Sequence, residues 1–158
     1  MQEENEIAIE FDPGIIRPNV NVNNWEELLG KMGDLLKEKG YVKETFKEAL
    51  INREKEHPTG IQVGELGIAI PHTDAVHVNK TTIAMVTLEK PIKFELMAED
   101  GNTNAEIVFI LVVKEPKTQL FFLKRLMAMF QKIEVLQKIK EMKESKDIIN
   151  LLKQELKV

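Results

Sequence analysis

The sequence predicts a single α/β domain in which a mixed β-sheet is flanked by helices on both faces. Short runs of β-forming residues alternate with segments whose apolar residues recur every three or four positions, a pattern typical of sheets covered by amphipathic helices. Residues 107–113 are apolar throughout, as expected of a central strand that is buried on both faces. No linker, repeat or low-complexity segment divides residues 1–158, so we expect one domain.

The first elements predicted are a strand and a helix. Residues 7–11 are predicted to form a strand, which a turn at Pro13-Gly14 would end. A helix is predicted from Trp25, because apolar residues from there on recur at helical spacing. Asn24 can accept a hydrogen bond from an N–H of its first turn, and Gly40 can end it.

A second helix and most of the sheet follow. The helix is predicted from about Lys43, with Phe46 and Leu50 on its apolar face and Arg53 on the same face near its end. We expect Lys90-Pro91 to interrupt the sheet, since proline cannot donate to a β-ladder. The predicted strands are residues 61–63, 67–70, 81–89 and 92–94.

The last third of the chain is predicted to be mainly helical. After a turn at residues 99–104 and the apolar strand, Pro116 stands where a helix would begin, because the first helical N–H needs no partner. That helix, residues 117–131, carries two apolar stripes and is expected to be buried over a wide arc: Leu120, Leu123, Met127 and Phe130 form one, and Phe122, Leu126, Met129 and Ile133 the other. Two shorter amphipathic helices are predicted near residues 132–142 and 146–156.

Composition excludes several classes of protein. The net charge is −4 and no basic stripe is present, which argues against nucleic-acid binding. The chain has no cysteine, so disulfides and thiolate chemistry are excluded and a reducing cytoplasm is favoured. Its first residues lack the pattern of a secretory signal, and no apolar run approaches the ~18 residues of a membrane span.

The segment ending in Pro71-His72 is the best candidate for chemistry. The apolar residues 67–70 are predicted to form a strand, and His72 follows directly after Pro71. The proline marks where sheet pairing stops. A side chain held on such a stiff stub suits a nucleophile or a ligand. With His77 and Asp74 nearby a metal site is conceivable, but zinc sites usually show tighter spacing or a helix-borne pair, so we expect no metal. Neither a nucleophile elbow nor a phosphate-cradling glycine loop supports a hydrolase.

The motifs around His72 resemble those of a known family. Arg53-Glu54, Thr59-Gly60-Ile61 and the residues from Ala69 to His72 resemble marks of the IIA component of the phosphoenolpyruvate-dependent sugar phosphotransferase system, in its fructose/mannitol superfamily. The resemblance is best to the galactitol type, which also has a second histidine shortly after the first, here His77, and a glutamine, here Gln119, where other types have a histidine. It covers roughly residues 25 to 130.

The resemblance implies roles for five residues. His72 would carry the phosphoryl group and Arg53 would be a charge or conformational partner; Thr59, His77 and Gln119 would line the phosphoryl pocket. Other roles stay open: Arg53 as a complement to a helix dipole, Thr59 as a turn residue, His77 as an exposed loop residue and Gln119 as a capping or packing residue. His57 is expected at the surface.

The function implied is that of a cytoplasmic phosphocarrier with phosphotransferase activity and no cofactor. It would accept a phosphoryl group from the histidine-phosphorylated carrier protein HPr and pass it to a sugar-specific IIB component, meeting the membrane component IIC only indirectly. Neither the sugar nor nucleic acid is expected to bind the chain. The alternative is a regulatory protein of the same fold, which senses phosphorylation without a transport role.

Overall fold

The computed structural model describes residues 9–158, which form one five-stranded mixed sheet with helices on both faces. The elements are β1 (Ile16–Val20), α1 (Trp25–Glu38), α2 (Phe46–Glu56), β2 (Gly60–Val63), β3 (Leu66–Ala69), β4 (Thr82–Glu95), β5 (Asn102–Val112), α3 (Pro116–Met129), α4 (Ile133–Glu141) and α5 (Ser145–Leu156). The strands lie in the order β1-β4-β5-β3-β2. The β4–β5 and β2–β3 pairs are antiparallel, and the β1–β4 and β3–β5 pairs are parallel.

Strand β5 is the middle strand and contributes to both cores. Successive side chains of a strand point to opposite faces, so Ile107 and Phe109 pack with α3, α4 and α5, whereas Val108 and Ile110 pack with α1 and α2. All four side chains are fully buried. The predicted α/β architecture, with a doubly covered strand at residues 107–113, is therefore confirmed.

The structure confirms how the first helix begins and ends. The Asn24 side-chain oxygen accepts a hydrogen bond from the backbone N–H of Glu27 at 2.8 Å, and α1 begins at the next residue, Trp25. Gly40 follows the helix with φ +87°, a conformation that glycine adopts without a Cβ clash. The second helix begins at Phe46 rather than near Lys43; before it, Val42 forms a β-bridge with Val78 and the Lys43 N–H donates to the carbonyl of His77.

The first strand lies later than predicted. Residues 7 and 8 lie outside the described residues, and residues 9–11 have no regular secondary structure, so the prediction of a strand there is wrong for the part described. The turn at Pro13-Gly14 is confirmed as a short 3₁₀ helix, and β1 follows it. The sequence hid this strand because it contains Pro18, which is accommodated because β1 is an edge strand.

The predicted interruption at Lys90-Pro91 is also wrong. Strand β4 continues through both residues to Glu95, and its register against β5 shifts between Thr87 and Ile92. Such an irregularity absorbs a proline without ending a strand. The predicted turn at residues 99–104 is shorter than expected, because β5 begins at Asn102.

Helix α3 is less buried than its two apolar stripes predict. Phe122, Leu126 and Met129 enter the core, whereas Leu120 is 54% exposed and Met127 39% exposed. Of the other stripe, Phe130 is buried and Leu123 is half-buried against the same core, so the expected burial over a wide arc fails only at Leu120 and Met127. The two shorter amphipathic helices are confirmed as α4 and α5.

The close approach of β3 to β5 at Gly67 generates a stability prediction. A Cβ at this position would clash with the backbone carbonyl of Asn104 and the hydroxyl of Thr103, so Gly67→Ala should lower the free energy of unfolding by about 1–3 kcal/mol. Gly30 in α1 has open space around the same position, and Gly30→Ala should be neutral or stabilising by up to about 1 kcal/mol. Urea denaturation measures both; equal effects would contradict the close packing at Gly67.

Candidate functional site

His72 lies just beyond the end of β3, on a segment that is still tied to the central strand. The carbonyl of Pro71 accepts a hydrogen bond from the backbone N–H of Leu111 at 3.1 Å. Pro71 is buried and His72 is half-buried. The backbone of His72 is therefore held against β5, as the sequence predicted from the strand and the proline.

One hydrogen bond determines which nitrogen of His72 is nucleophilic. Nδ1 lies 2.8 Å from the carbonyl oxygen of Ile70. A carbonyl oxygen only accepts, so Nδ1 carries the hydrogen and the neutral ring keeps its free lone pair on Nε2. Burial, the largest cause, and the positive charge of Arg53 lower the pKa of His72, while the Ile70 carbonyl and Asp74 act in the opposite direction. The neutral, nucleophilic form is thus favoured near pH 7.

His72 opens into a cleft that combines charged and apolar groups. The cleft measures about 360 Å³. Its walls come from α2 and the residues after it, from the residues that follow β3 and β4, and from Leu123 and Met127 of α3. It is lined by Arg53, His57, Pro58, Thr59, Ile70, His72, Met97, Leu123 and Met127. His57 is exposed, as predicted, and contributes to the wall of the cleft.

Arg53 stands in the last turn of α2 and is only loosely held. Its Nη1 lies 3.9 Å from Oδ1 of Asp74, and the two side chains are 40% and 77% exposed. A long, exposed ion pair of this kind contributes little free energy, on the order of 0–1 kcal/mol. The guanidinium can therefore leave Asp74 for another anion in the cleft at little cost.

Thr59 lies in the cleft wall, but its hydroxyl hydrogen is already used. Its backbone N–H donates to Oε2 of Glu54 at 2.8 Å, and its hydroxyl donates to Oε1 at 2.9 Å. The hydroxyl oxygen in turn accepts from the backbone N–H of Ile70 at 3.2 Å. Thr59 is thus bonded on one side to α2 and on the other to the strand end that precedes His72.

The sequence analysis did not single out Glu54 as a site residue. The buried residues of α2 are Phe46, Leu50 and Glu54, spaced four apart, and the Glu54 carboxylate lies between the helix and Thr59. Arg53, expected on that face, lies instead at its edge. The spacing of Glu54 from two apolar residues was the available signal, because a carboxylate in a buried row requires a specific partner.

His77 and Gln119 are not among the described residues that line the cleft. Nδ1 of His77 lies 2.7 Å from the hydroxyl of Thr45, which attaches the loop after His72 to the start of α2. Gln119 is the fourth residue of α3, and its Oε1 is buried without a hydrogen-bond partner among residues 9–158. His72 has its hydrogen bond with Ile70 and not with His77 or Gln119.

The described residues contain neither a metal-binding cluster nor a membrane-spanning helix. Within residues 9–158, no group of three or more histidine, cysteine or acidic side chains is arranged to hold a metal ion. No helix in the same part of the chain is long and apolar enough to cross a membrane.

Comparisons with known proteins agree with the geometry. Residues 11–155 match the family model described as phosphoenolpyruvate-dependent sugar phosphotransferase system, EIIA 2. The galactitol-specific EIIA component of Escherichia coli (strain K12) is 30% identical over 122 residues, which cover 77% of this chain and 81% of that protein. The transcriptional regulator ManR of Bacillus subtilis (strain 168) is 35% identical over 88 residues, 56% of this chain but only 12% of ManR.

A solved structure extends the comparison to the fold. The Escherichia coli complex of enzyme IIAMTL and phosphorylated enzyme IIBMTL contains a chain that superposes with a TM-score of 0.71 at 19% identity. The superposition covers 94% of this chain and 99% of that one. At this identity the likeness shows a common fold.

The environment of His72 predicts its titration. Its pKa should lie below the ordinary value of about 6.5, and Arg53→Gln should raise it because a positive charge is removed. Since the folded pKa is depressed, this group contributes stability above the unfolded pKa and loses it as pH falls through the folded value. NMR titration of the imidazole resonances measures both pKa values, with His57→Gln as the control that should leave His72 unchanged. A midpoint at or above 6.5 in the wild type would contradict the burial argument.

Proposed function

The chain belongs to the EIIA 2 family of the phosphoenolpyruvate-dependent sugar phosphotransferase system, and on this premise we propose that its phosphocarrier role runs through His72. The Nε2 atom accepts the phosphoryl group from the histidine-phosphorylated carrier protein HPr and passes it to a sugar-specific IIB component. The observation that carries the proposal is the Nδ1–Ile70 hydrogen bond, which leaves the Nε2 lone pair free beside the cleft.

The transfer itself exchanges one phosphorus–nitrogen bond for another. The Nε2 lone pair of His72 attacks phosphorus while the bond to the donor imidazole breaks, and the bonding electrons return to the donor. Because such transition states are loose, the protein mainly positions the group and balances its charge. Nδ1–H keeps its bond to Ile70 throughout, so no proton has to move on His72. In the transfer to IIB, a nucleophile of that component attacks phosphorus while the bond to Nε2 breaks, and the bonding electrons return to Nε2 of His72.

Arg53 is proposed to bind the phosphoryl oxygens. Its planar guanidinium presents paired donors that match two oxygens of one phosphoryl group, and its tie to Asp74 is weak. Thr59, His77 and Gln119 stay predictions as phosphoryl-site residues. In this structure Thr59 donates to Glu54, and His77 contacts Thr45. Gln119 retains a buried, unpaired amide oxygen among the described residues.

The surroundings of the cleft support transient docking of partners. Apolar side chains are exposed around it: Val76 in the loop after His72 at 65% and Met127 on the α3 wall at 39%, with Leu120 at 54% further along α3 outside the cleft. Exposed apolar groups around a polar centre are typical of interaction sites.

We propose a IIB component as the acceptor, with IIC reached only through it, and a cytoplasmic location. Galactitol or a related polyol is the proposed cargo of the system, from the likeness to galactitol-specific EIIA, and this chain does not bind it.

A regulatory role is the second candidate, favoured by the likeness of 88 residues to ManR. The two roles differ in the fate of the phosphoryl group. A transport component passes the phosphoryl group to its IIB partner as fast as the transport system turns over, whereas a sensor retains the phosphoryl group. Neighbouring genes for IIB and IIC components would support transport, and a lone gene or one beside a regulator would support sensing.

His72 is tested by removing the nucleophile. With phosphoenolpyruvate and the general carrier proteins, the wild type should gain one phosphoryl group and His72→Gln none, because amide nitrogen is not nucleophilic. Mass spectrometry with site mapping measures the product, and Arg17→Gln, on the edge strand β1 away from the cleft, is the control that should be phosphorylated normally. Phosphate on His72→Gln at the wild-type level would refute the assignment.

Arg53 is tested by changing its shape and keeping its charge. Arg53→Lys loses the planar fork, so phosphoryl transfer should slow by roughly ten- to a hundred-fold, equivalent to about 1.4–2.7 kcal/mol. Rapid-quench measurement of uptake by His72 gives the rate. An unchanged rate would reduce Arg53 to a residue that complements the end of α2.

A further inference from the structure

One buried carboxylate close to the cleft has no part in the transfer described above. The Glu54 side chain belongs to a residue that is only 4% exposed and lies on the inner face of α2. Burial, as the largest cause, raises its pKa; the negative charge of Glu95 acts in the same direction, and the two bonds from Thr59 oppose them. Burying a carboxylate is unfavourable unless it is well bonded, so its partners indicate what it does.

Both partners of this carboxylate come from one residue. Oε2 accepts from the N–H of Thr59 and Oε1 from its hydroxyl, at 2.8 and 2.9 Å. The threonine oxygen has a single hydrogen, so donation to Glu54 leaves its lone pairs directed elsewhere. One of them accepts the Ile70 N–H at 3.2 Å, and the Thr59 carbonyl shares the same N–H at 3.3 Å.

Ile70 connects this network to the reacting ring. Its N–H is bonded to Thr59, and its carbonyl accepts the Nδ1–H of His72 at 2.8 Å. The bond from the Ile70 N–H to Thr59 restrains Ile70 and so helps to hold its carbonyl in one direction. The direction of that carbonyl sets the plane and the tautomer of the imidazole. The chain of contacts therefore runs from Glu54 through Thr59 and Ile70 to Nδ1.

We propose that Glu54 and Thr59 are a positioning pair that orients the Ile70 carbonyl and thereby keeps His72 in the Nδ1–H form, with Nε2 ready for the phosphoryl group. This inference rests on the proposed function of His72. It assigns Thr59 a role behind the imidazole rather than a direct bond to the phosphoryl group. Because Glu54 and Arg53 are neighbours on α2, the same contacts also set where the Arg53 backbone stands relative to the ring, while its side chain stays mobile.

The test replaces each member of the pair with a residue of the same shape. Thr59→Val removes the hydroxyl that links Glu54 to Ile70, and Glu54→Gln turns an amide NH₂ toward one of the two Thr59 donors. Thr59→Ser keeps the hydroxyl. The matched control is Thr87→Val, since Thr87 is 1% exposed and its hydroxyl accepts one distant backbone N–H, that of Asn19, at 2.9 Å near the opposite sheet edge.

Two measurements separate positioning from simple stabilisation. Nitrogen-15 NMR of the unphosphorylated proteins reports the tautomer of His72, and rapid-quench kinetics report phosphoryl uptake. We expect Thr59→Val and Glu54→Gln to raise the Nε2–H fraction several-fold and to slow uptake about tenfold. Thr59→Ser should behave as wild type. Thr87→Val should lose stability in urea without a change in tautomer or rate.

The result that overturns the proposal is a wild-type tautomer distribution and rate in folded Thr59→Val. If Glu54→Gln fails to fold, Thr59→Val alone decides, because valine has the shape of threonine. Failure of the proposed function is recognised separately. In that case the wild type takes up no phosphoryl group at His72, while the tautomer measurement still supports or refutes the pair.

Discussion

The position of β5 between β4 and β3 is the constraint on which the rest of the structure depends. Its alternating side chains fill both cores, so it cannot slip by one residue without moving each apolar group to the wrong face. Through Leu111 it also holds the carbonyl of Pro71, the residue before His72. The packing that stabilises the fold therefore also sets the position of the His72 imidazole.

Electrostatics around this ring combine one buried and one exposed charge. Glu54 is buried and fully engaged by Thr59, so it is fixed in place. Arg53 is nearly half exposed and weakly paired, so it can move. The two are adjacent in sequence yet differ in environment, because successive helical residues point about 100° apart. The imidazole thus has a fixed polar network on one side and a cation that can move on the other, as the role proposed for His72 requires.

The sequence predicted the elements whose signals are local. The caps of α1, the apolar run of β5 and the placement of His72 all depend on neighbouring residues and were confirmed in their positions. The strands that contain Pro18 and Pro91 were not predicted correctly. Pro18 fits because β1 is an edge strand, and Pro91 fits because the register of β4 shifts there; only the pairing of the strands reveals both facts. Likewise, the periodicity of α3 shows two apolar stripes but not that Leu120 and Met127 of the first stripe stay exposed. The role of Glu54 was not predicted because the path of the chain between α2 and β2 brings its partner, Thr59, next to it, and the sequence pattern does not show that path.

The cleft beside His72 has a wall of two methionines, Met127 of α3 and Met97 after β4. Thioether side chains are unbranched and polarizable, so they reshape to fit different surfaces at little energetic cost. The cleft is therefore deformable at its methionine wall and stiff where the backbone before His72 is bonded to β5. If the proposed partners dock here, surfaces of unlike shape could be accommodated by side-chain rotation alone.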